Sequence, residues 1–338
     1  MKKINIFKNI SISISENELF TKIDNYYTPI KDDLIILNKI NISINHVDNI
    51  KNNEAVFINK NMGVSKNSIL ILSKKNKILE IYNSFCENNI QICVEKGFSV
   101  NEIYNIFEDI LFFKLIQNKI LPIHSSGVFV NKKGYLFPSY GGVGKTRILL
   151  EACKKEKDLL VTDEWCFLQN STIVPFKNEV LLMDYDIISY PNMVNVIDYI
   201  RTIVYRLMPG VIAKLIVKKM FIGIQYKKIR LNNVKKFPIN QAQFITRFFG
   251  KKIKKELSTV ENMSLDITNN FLHEKKSLFE LEKLNNISNF DIKSNLKVDY
   301  RTKLGNLLND VMCFNLYIPV YENNFSKIYQ VAVNDTEL

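Results

Sequence analysis

The first third of the chain alternates isoleucine with short polar residues, which is the pattern of strands with one buried face. Residues 10–14 read Ile-Ser-Ile-Ser-Ile and residues 40–44 read Ile-Asn-Ile-Ser-Ile. Every second side chain of such a strand falls on the same face of a sheet. Shorter apolar runs bounded by polar residues predict further strands at 55–58, 69–72, 78–82 and 90–94.

The pattern then changes to helical spacing. Apolar residues recur every three or four positions over residues 100–115, which predicts an amphipathic helix. Ser99 and Glu102 have the spacing of a capping box, in which the two side chains satisfy backbone N–H groups at the helix start. We predict a strand-rich N-terminal domain that ends with this helix, at residues 1–118, and a second domain at residues 119–338.

The second domain begins with two strands joined by a tight turn. A strand from His124 to Val130 is followed by a turn at 131–134 and a strand at 135–138. Doubly wound nucleotide-binding domains begin differently, because their parallel strands alternate with helices. The sequence therefore predicts an α/β fold with a mixed sheet.

The segment after residue 138 has the composition of a phosphate-binding loop, the Walker A motif. Its glycines allow backbone N–H groups to point at phosphate oxygens, and the helix predicted at 147–155 adds the positive end of its dipole. We expect Lys145 to reach the outer phosphates and the Thr146 hydroxyl to bind Mg²⁺. The expected nucleotide-binding residues are Ser139, Tyr140, Gly141, Gly142, Val143, Gly144, Lys145 and Thr146.

Ser139 departs from this motif, which has glycine at that position. A serine is compatible with the loop if φ is negative there. The alternative interpretation of the whole segment is a glycine-rich turn before a helix, with Lys145 as an ordinary surface lysine.

An apolar strand at 159–162 ends in two adjacent carboxylates, Asp163 and Glu164. Shortly after a phosphate loop, one such acid can bind Mg²⁺ and the other can accept a proton from an attacking hydroxyl. The alternative is a polar strand end in a turn. A second acidic pair, Asp184 and Asp186, has no other signal beside it, and we interpret it as structural.

The remaining periodic segments predict a hairpin, helices and two final strands. The hairpin joins runs at 165–168 and 172–176, and helical spacing occurs at 211–220, 242–249 and 304–308, followed by strand-like runs at 314–320 and 328–333.

The net charge of +12 is concentrated in one segment. Residues 201–255 contain fifteen lysines and arginines and no acidic residue. Such a block can attract nucleic acid, an acidic lipid surface or an acidic peptide. A solvated basic face without a specific partner is the alternative.

Other sequence features exclude several classes of protein. Five cysteines without a C-x-x-C pair predict reduced thiols and a cytoplasmic location. Lys8 and Asn9 interrupt the apolar start, so no signal peptide is expected, and the apolar window at 211–224 is too short to cross a bilayer. An oxidoreductase or metal hydrolase has no support, because the chain lacks an H-E-x-x-H motif, a Cys/His cluster and a dinucleotide fingerprint.

The run His-Ser-Ser-Gly-Val at 124–128, the hairpin, the phosphate loop and Thr-Asp-Glu at 162–164 occur in an order that resembles the C-terminal domain of HPr kinase/phosphorylase. The likeness extends over residues 124–176. It is greater for the stand-alone relatives of that domain, including kinases that modify peptides in ribosomal natural-product clusters. The family's loop and sheet are related to those of phosphoenolpyruvate carboxykinase. The resemblance implies a mixed-sheet P-loop kinase core.

The resemblance also implies roles for individual residues. Asp163 matches the first aspartate of the family's pair, the base that acts on the substrate serine. Glu164 stands in place of the second, and both acids are expected to contribute with Thr146 to the Mg²⁺ site. His124 matches a histidine near the phosphates, although a satisfied core histidine is the alternative. A Gly-Gly-Asn signature of the bifunctional enzymes is absent, which implies a kinase without phosphorylase activity.

The combined expectation is an ATP- and Mg²⁺-dependent kinase that phosphorylates a serine-type hydroxyl of a protein or an acidic peptide. Its catalytic residues are expected to be Asp163, Lys145 and His124, with Arg201 or Arg206 as a source of positive charge at the transferred group. A homo-oligomer is compatible with this expectation. A metabolite kinase remains an alternative, as does a non-catalytic nucleotide-binding module with a nucleic-acid-binding face, although the acidic pair argues against the latter.

Overall fold

The computed structural model describes residues 1–7, 9–27, 34, 36, 38–50, 55–65, 68–83, 87–155, 160–176, 179–207, 226–230, 236–287 and 295–334. The strands in these ranges form two mixed sheets and one two-stranded ribbon, and helices pack against them. The expected α/β fold with mixed sheets is confirmed. The division of the chain into domains at residue 118 stays a prediction.

The N-terminal sheet contains eight strands. They are β1 (Lys2–Phe7), β2 (Ile10–Ile14), β3 (Ile40–Val47), β4 (Val56–Phe57), β5 (Met62–Ser65), β6 (Ser68–Leu72), β7 (Ile78–Tyr82) and β8 (Asn89–Glu95). All of them except β1 and β5 were predicted. Their spatial order is β1-β2-β3-β8-β7-β6-β5-β4, with β2, β3 and β8 parallel to one another. The isoleucines of β2 and β3 are buried, while the serines between them remain partly exposed.

Two helices accompany this sheet. Helix α1 (Asn17–Tyr27) was not predicted, and α2 (Val100–Gln117) was. The predicted capping box is wrong in detail, since Ser99 precedes α2 but its side chain forms no capping hydrogen bond. Most of α2 from Ile103 onward is buried, so tertiary burial rather than a side-chain cap stabilises this helix.

The second sheet has a long strand near its centre. The strands after β8 are β9 (Leu121–Val130), β10 (Lys133–Pro138), β11 (Leu160–Thr162), β12 (Trp165–Gln169), β13 (Thr172–Pro175), β14 (Glu179–Met183), β15 (Tyr226–Arg230), β16 (Phe237–Pro238), β17 (Gln241–Phe248), β18 (Lys254–Leu257) and β19 (Met312–Pro319). The sheet has the order β16-β13-β12-β9-β10-β17-β19-β18, and β11 also pairs with β9. Strands β14 and β15 form the separate ribbon.

Further helices pack against the second sheet, the ribbon, the N-terminal sheet and one another. They are α3 (Lys145–Lys155), α4 (Asp184–Ser189), α5 (Val196–Leu207), α6 (Val260–Glu274), α7 (Lys276–Ile287), α8 (Leu296–Leu308) and α9 (Phe325–Val333). One hydrophobic cluster joins the N-terminal sheet, α2, α6 and α8, and a second joins α3 and α9 to β10. Helix α3 is thereby held between the sheet and α9.

Two predicted elements have the opposite secondary structure. Residues 242–249 were predicted as a helix, but residues 241–248 form β17 between two parallel neighbours, β10 and β19. A strand buried on both faces is apolar along its length, so its pattern also satisfies helical spacing. Residues 328–333 were predicted as a strand but belong to α9, where Ile328, Tyr329 and Ala332 share the buried face. The helix predicted at 211–220 lies outside the described residues.

Two further observations concern membrane-spanning helices and cysteines in the part of the chain that the structure describes. Among the residues described, no helix has both the length and the apolar character needed to cross a membrane. The described cysteines, Cys93, Cys153, Cys166 and Cys313, are free thiols.

Candidate active site

Strands β11 and β12 lie against β9 in one continuous antiparallel register. Thr162 pairs with Gly127, and Trp165 pairs with His124. The two residues between them, 163–164, interrupt the strand while keeping its register. The interruption therefore places both acidic residues directly opposite Ser125 and Ser126 of β9.

The backbone at this interruption has an uncommon conformation. Glu164 has a φ of 60°, a left-handed conformation that costs a residue with a side chain about 1–2 kcal/mol. Its carbonyl oxygen accepts a hydrogen bond of 2.9 Å from the Ser125 N–H, while its side chain contributes to the lining of a cavity. Backbone strain of this kind is concentrated at functional sites.

Asp163 is buried and forms hydrogen bonds with two hydroxyl groups. Ser126 Oγ donates a hydrogen bond to Asp163 Oδ1. Thr146 Oγ1 donates a second one, of 3.1 Å, to Asp163 Oδ2. Burial raises the pKa of the Asp163 carboxyl to about 6, although both hydrogen bonds act in the opposite direction. A carboxylate with this pKa can accept a proton near neutral pH.

The predicted phosphate loop connects β10 to α3. Gly142 and Gly144 have φ values of 79° and 109°, whereas Ser139 has a negative φ, as its side chain requires. A Cβ atom at Gly144 would lie 2.6 Å from the ring of Phe325. Glycine is therefore required at Gly144 for two reasons, the backbone angle and the contact with α9.

Lys145, the first residue of α3, points back along the loop. Its Nζ donates to the carbonyl oxygens of Ser139 at 2.8 Å and Tyr140 at 3.1 Å. Burial lowers the pKa of Lys145 to about 8, and the negative charges of Asp163, Glu274 and Glu164 limit this decrease. The interpretation of Lys145 as a surface lysine is thus wrong, because its side chain is only 7% exposed.

His124 lies beside the loop as a neutral imidazole. Burial, together with the positive charge of Lys145, lowers its pKa to about 3. The ring packs against Trp165 with 5.2 Å between ring centroids. Its Nδ1 lies 3.3 Å from Glu274 Oε1 without forming a hydrogen bond, and because the ring is neutral this contact is not an ion pair.

These residues surround a cavity of about 370 Å³. The lining residues are His124, Gly141, Gly142, Gly144, Lys145, Thr146, Arg147, Asp163, Glu164, Met183, Tyr185, Asp186, Arg247, Asn323 and Phe325. The structure thus brings the predicted catalytic residues, three loop glycines and both acids to one cavity. Ser139, Tyr140 and Val143 belong to the same loop but do not line it.

Two arginines that the sequence did not single out contribute positive charge to the cavity. Arg147 follows Thr146 directly, and its Nε lies 2.8 Å from Asp186 Oδ1. Arg247 comes from β17, where its Nε donates to the Val143 carbonyl oxygen at 3.0 Å. Asp186, which was interpreted as structural, thus lines the cavity and pairs with Arg147.

The arginines proposed from the sequence lie elsewhere. Arg206 Nε contacts Asp184 Oδ2 at 2.9 Å, and Arg201 has an ion-pair contact of 4.0 Å with Asp198. Both belong to α5 and neither lines the cavity. Arg147 could have been identified from the sequence, because it directly follows Lys145 and Thr146. Nothing in the local sequence marks Arg247, because it comes from a parallel strand far along the chain.

No protein-family model matches this chain, and no curated protein matches it.

Proposed function

We propose that this protein is an ATP- and Mg²⁺-dependent kinase that transfers the γ-phosphoryl group to a serine-type hydroxyl of a protein or peptide. One observation carries the proposal: a phosphate loop with Lys145 and Thr146 shares a cavity with a buried carboxylate, Asp163, whose pKa is about 6. Phosphoryl transfer needs both parts, a cradle for phosphates and a group that orients and deprotonates the acceptor.

The donor's phosphates would be held by the loop and by nearby cations. Backbone N–H groups of the glycine-rich turn and the N-terminus of α3 favour negative charge. Lys145 carries a positive charge at the inner side of the loop, and Arg147 and Arg247 add two more in the cavity lining. Charges positioned in this way stabilise the developing charge of the transferred group.

Thr146 and Glu164 would hold a Mg²⁺ ion as oxygen ligands, which leaves Asp163 available as the base. Both line the cavity, and Mg²⁺ prefers one or two carboxylates together with substrate phosphates. No group of three or more His, Cys, Asp or Glu in the described part of the chain is arranged to hold a metal by itself, so the ion would enter with the nucleotide. When bound, Mg²⁺ neutralises charge on the β- and γ-phosphoryl oxygens.

Asp163 would act as the base in the transfer step. The acceptor oxygen forms a bond to the γ-phosphorus as the bond to the β,γ-bridging oxygen breaks, and the acceptor proton passes to Asp163 while ADP leaves. His124 is neutral and contributes a polar wall rather than a charge. The resemblance to HPr kinase supports a protein or peptide acceptor for this step.

The proposal is tested by replacing Lys145 with alanine. Purified wild-type protein should consume ATP in the presence of Mg²⁺ and phosphorylate a protein or peptide acceptor, and Lys145→Ala should abolish both activities. Lys154→Ala, an exposed lysine on the same helix, is the matched control and should keep wild-type activity. Full activity of the Lys145 variant would refute the phosphate-loop assignment, and a phosphorylated metabolite without a modified polypeptide would refute the acceptor class.

A further inference from the structure

Part of the cavity lining has a character that phosphate binding does not require. Met183, Tyr185, Asn323 and Phe325 line the cavity with the loop, and three of these four side chains are apolar or aromatic. Phosphates are bound by backbone N–H groups and cations, not by aromatic rings. This part of the wall therefore suits a different portion of a ligand.

The aromatic rings here form a stack with the two arginines. The guanidinium of Arg147 lies 4.8 Å from the ring centroid of Tyr185 and 5.0 Å from that of Phe325. Arg247 lies 5.5 Å from the centroid of Phe325. The ion pair of Arg147 with Asp186 fixes the middle of this stack. The rings and cations are consequently pre-organised, which reduces the entropy lost when a ligand stacks on them.

The two rings differ in accessibility. Phe325 is 5% exposed and packs against the loop at Gly144, whereas Tyr185 is 41% exposed at the cavity. Tyr185 therefore presents an accessible aromatic surface beside a phosphate site, and its position is fixed by the contact with Arg147.

We infer that Tyr185 is the stacking platform for the base of a nucleoside triphosphate. This inference rests on the proposed function and sharpens it: the phosphoryl donor is a nucleotide rather than inorganic pyrophosphate or polyphosphate. The cavity volume of about 370 Å³ lies within the roughly 300–1,000 Å³ typical of small-molecule sites. Base–aromatic stacking is general because every base has a π-face.

The test compares two probes, ATP and inorganic tripolyphosphate, both with Mg²⁺, by titration calorimetry. Wild-type protein should bind ATP more tightly than tripolyphosphate. Tyr185→Ala should weaken ATP binding by about 5- to 150-fold, and the ratio of ATP to tripolyphosphate affinity should fall toward one. Tyr185→Phe keeps the ring and should keep this ratio. Tyr321→Ala, which removes an 82% exposed tyrosine outside the cavity lining, is the control.

The ratio of ATP to tripolyphosphate affinity separates loss of stacking from a general disturbance of Arg147, since that disturbance would weaken the binding of both probes equally. Equal affinities of the wild-type protein for both probes would overturn the inference while leaving the phosphate site intact. Binding of neither probe would overturn the proposed function as well. A selective loss of ATP binding in Tyr140→Ala but not in Tyr185→Ala would place the base on the other side of the loop and also overturn the inference.

Discussion

The hydroxyl of Thr146 donates a hydrogen bond of 3.1 Å to Asp163 Oδ2. This contact joins the start of α3 to the end of β11, between two residues that are 17 positions apart in the chain. It holds the hydroxyl of Thr146 against a buried carboxyl whose pKa burial raises to about 6.

Replacing Asp163 with asparagine should stabilise the protein while removing activity. The folded-state pKa of about 6 exceeds the ordinary value of 3.8, so the folded protein binds more protons than the unfolded chain between these values. Stability therefore falls as pH rises through this window, by up to about 3 kcal/mol. Asparagine carries no charge and can still pair with Ser126 and Thr146, whose hydroxyls can rotate.

Chemical unfolding at two pH values measures this effect. The Asp163→Asn variant should be more stable than wild type at about pH 8, and the difference should vanish at about pH 3.5, where the carboxyl is protonated in both states. A stability difference that is independent of pH would show that the raised pKa is not the cause.

The value of kcat/KM for ATP should show a bell-shaped dependence on pH. Activity should rise as Asp163 loses its proton near pH 6 and fall as Lys145 loses its proton near pH 8. In Lys145→Arg the guanidinium stays charged, so the decrease at high pH should disappear from whatever activity remains. A profile that stays flat from below pH 6 to above pH 8, or an unchanged basic limb in the arginine variant, would contradict the assignment.

Arg247→Ala should reduce kcat far more than Arg201→Ala. Arg247 lines the cavity and donates a hydrogen bond to the Val143 carbonyl oxygen, whereas Arg201 is exposed on α5 and has an ion-pair contact of 4.0 Å with Asp198. We expect a loss in kcat of about 100-fold or more for Arg247→Ala and wild-type kinetics for Arg201→Ala.

Thermal unfolding of both arginine variants separates catalysis from structure. A loss of activity in Arg247→Ala at an unchanged melting temperature would show that the positive charge of Arg247 acts on the transferred phosphoryl group. Equal kinetics of the two variants would mean that the positive charge at the transferred group comes from α5 or from a residue outside the described ranges.

Gly144→Ala should destabilise the protein and abolish nucleotide binding. Alanine would have to adopt a φ near 109° and place its Cβ 2.6 Å from Phe325, and the backbone conformation alone costs about 1–3 kcal/mol. Gly141 has open space around the corresponding position, so Gly141→Ala should change stability by less than about 0.5 kcal/mol. Equal melting temperatures for the two variants would contradict the tight contact between the loop and α9.

Lys275→Ala should be the most destabilising of these substitutions. This buried lysine lies between α6 and α7 and contacts Glu108 at 2.5 Å and Asp109 at 3.1 Å on α2. Burial raises the pKa of Asp109 even with the lysine present, and removal of the cation would leave both acids buried without it. We expect a loss of about 3–5 kcal/mol in the free energy of unfolding.

Denaturant unfolding of Lys275→Ala, with the exposed Lys276→Ala as control, measures that loss. A cost below about 1 kcal/mol would mean that the two carboxyls are accommodated as neutral acids.

The amino-acid sequence by itself determined the local parts of this protein. The isoleucine alternation at residues 10–14 and 40–44 predicted strands correctly, and the strand, glycine-rich turn and helix around Lys145 were predicted with their order. The position of Asp163 at the end of a strand was also predicted correctly. These features depend on side-chain periodicity and on backbone conformations that neighbouring residues specify.

Only the tertiary structure decided which distant residues meet. The shared register of β11 and β12 on β9 sets Asp163 opposite Ser126, and β17 is a strand because it is buried between two others. Arg247 and Phe325 reach the loop from more than a hundred residues away. Such contacts depend on burial summed over the whole fold, which no local window of sequence contains.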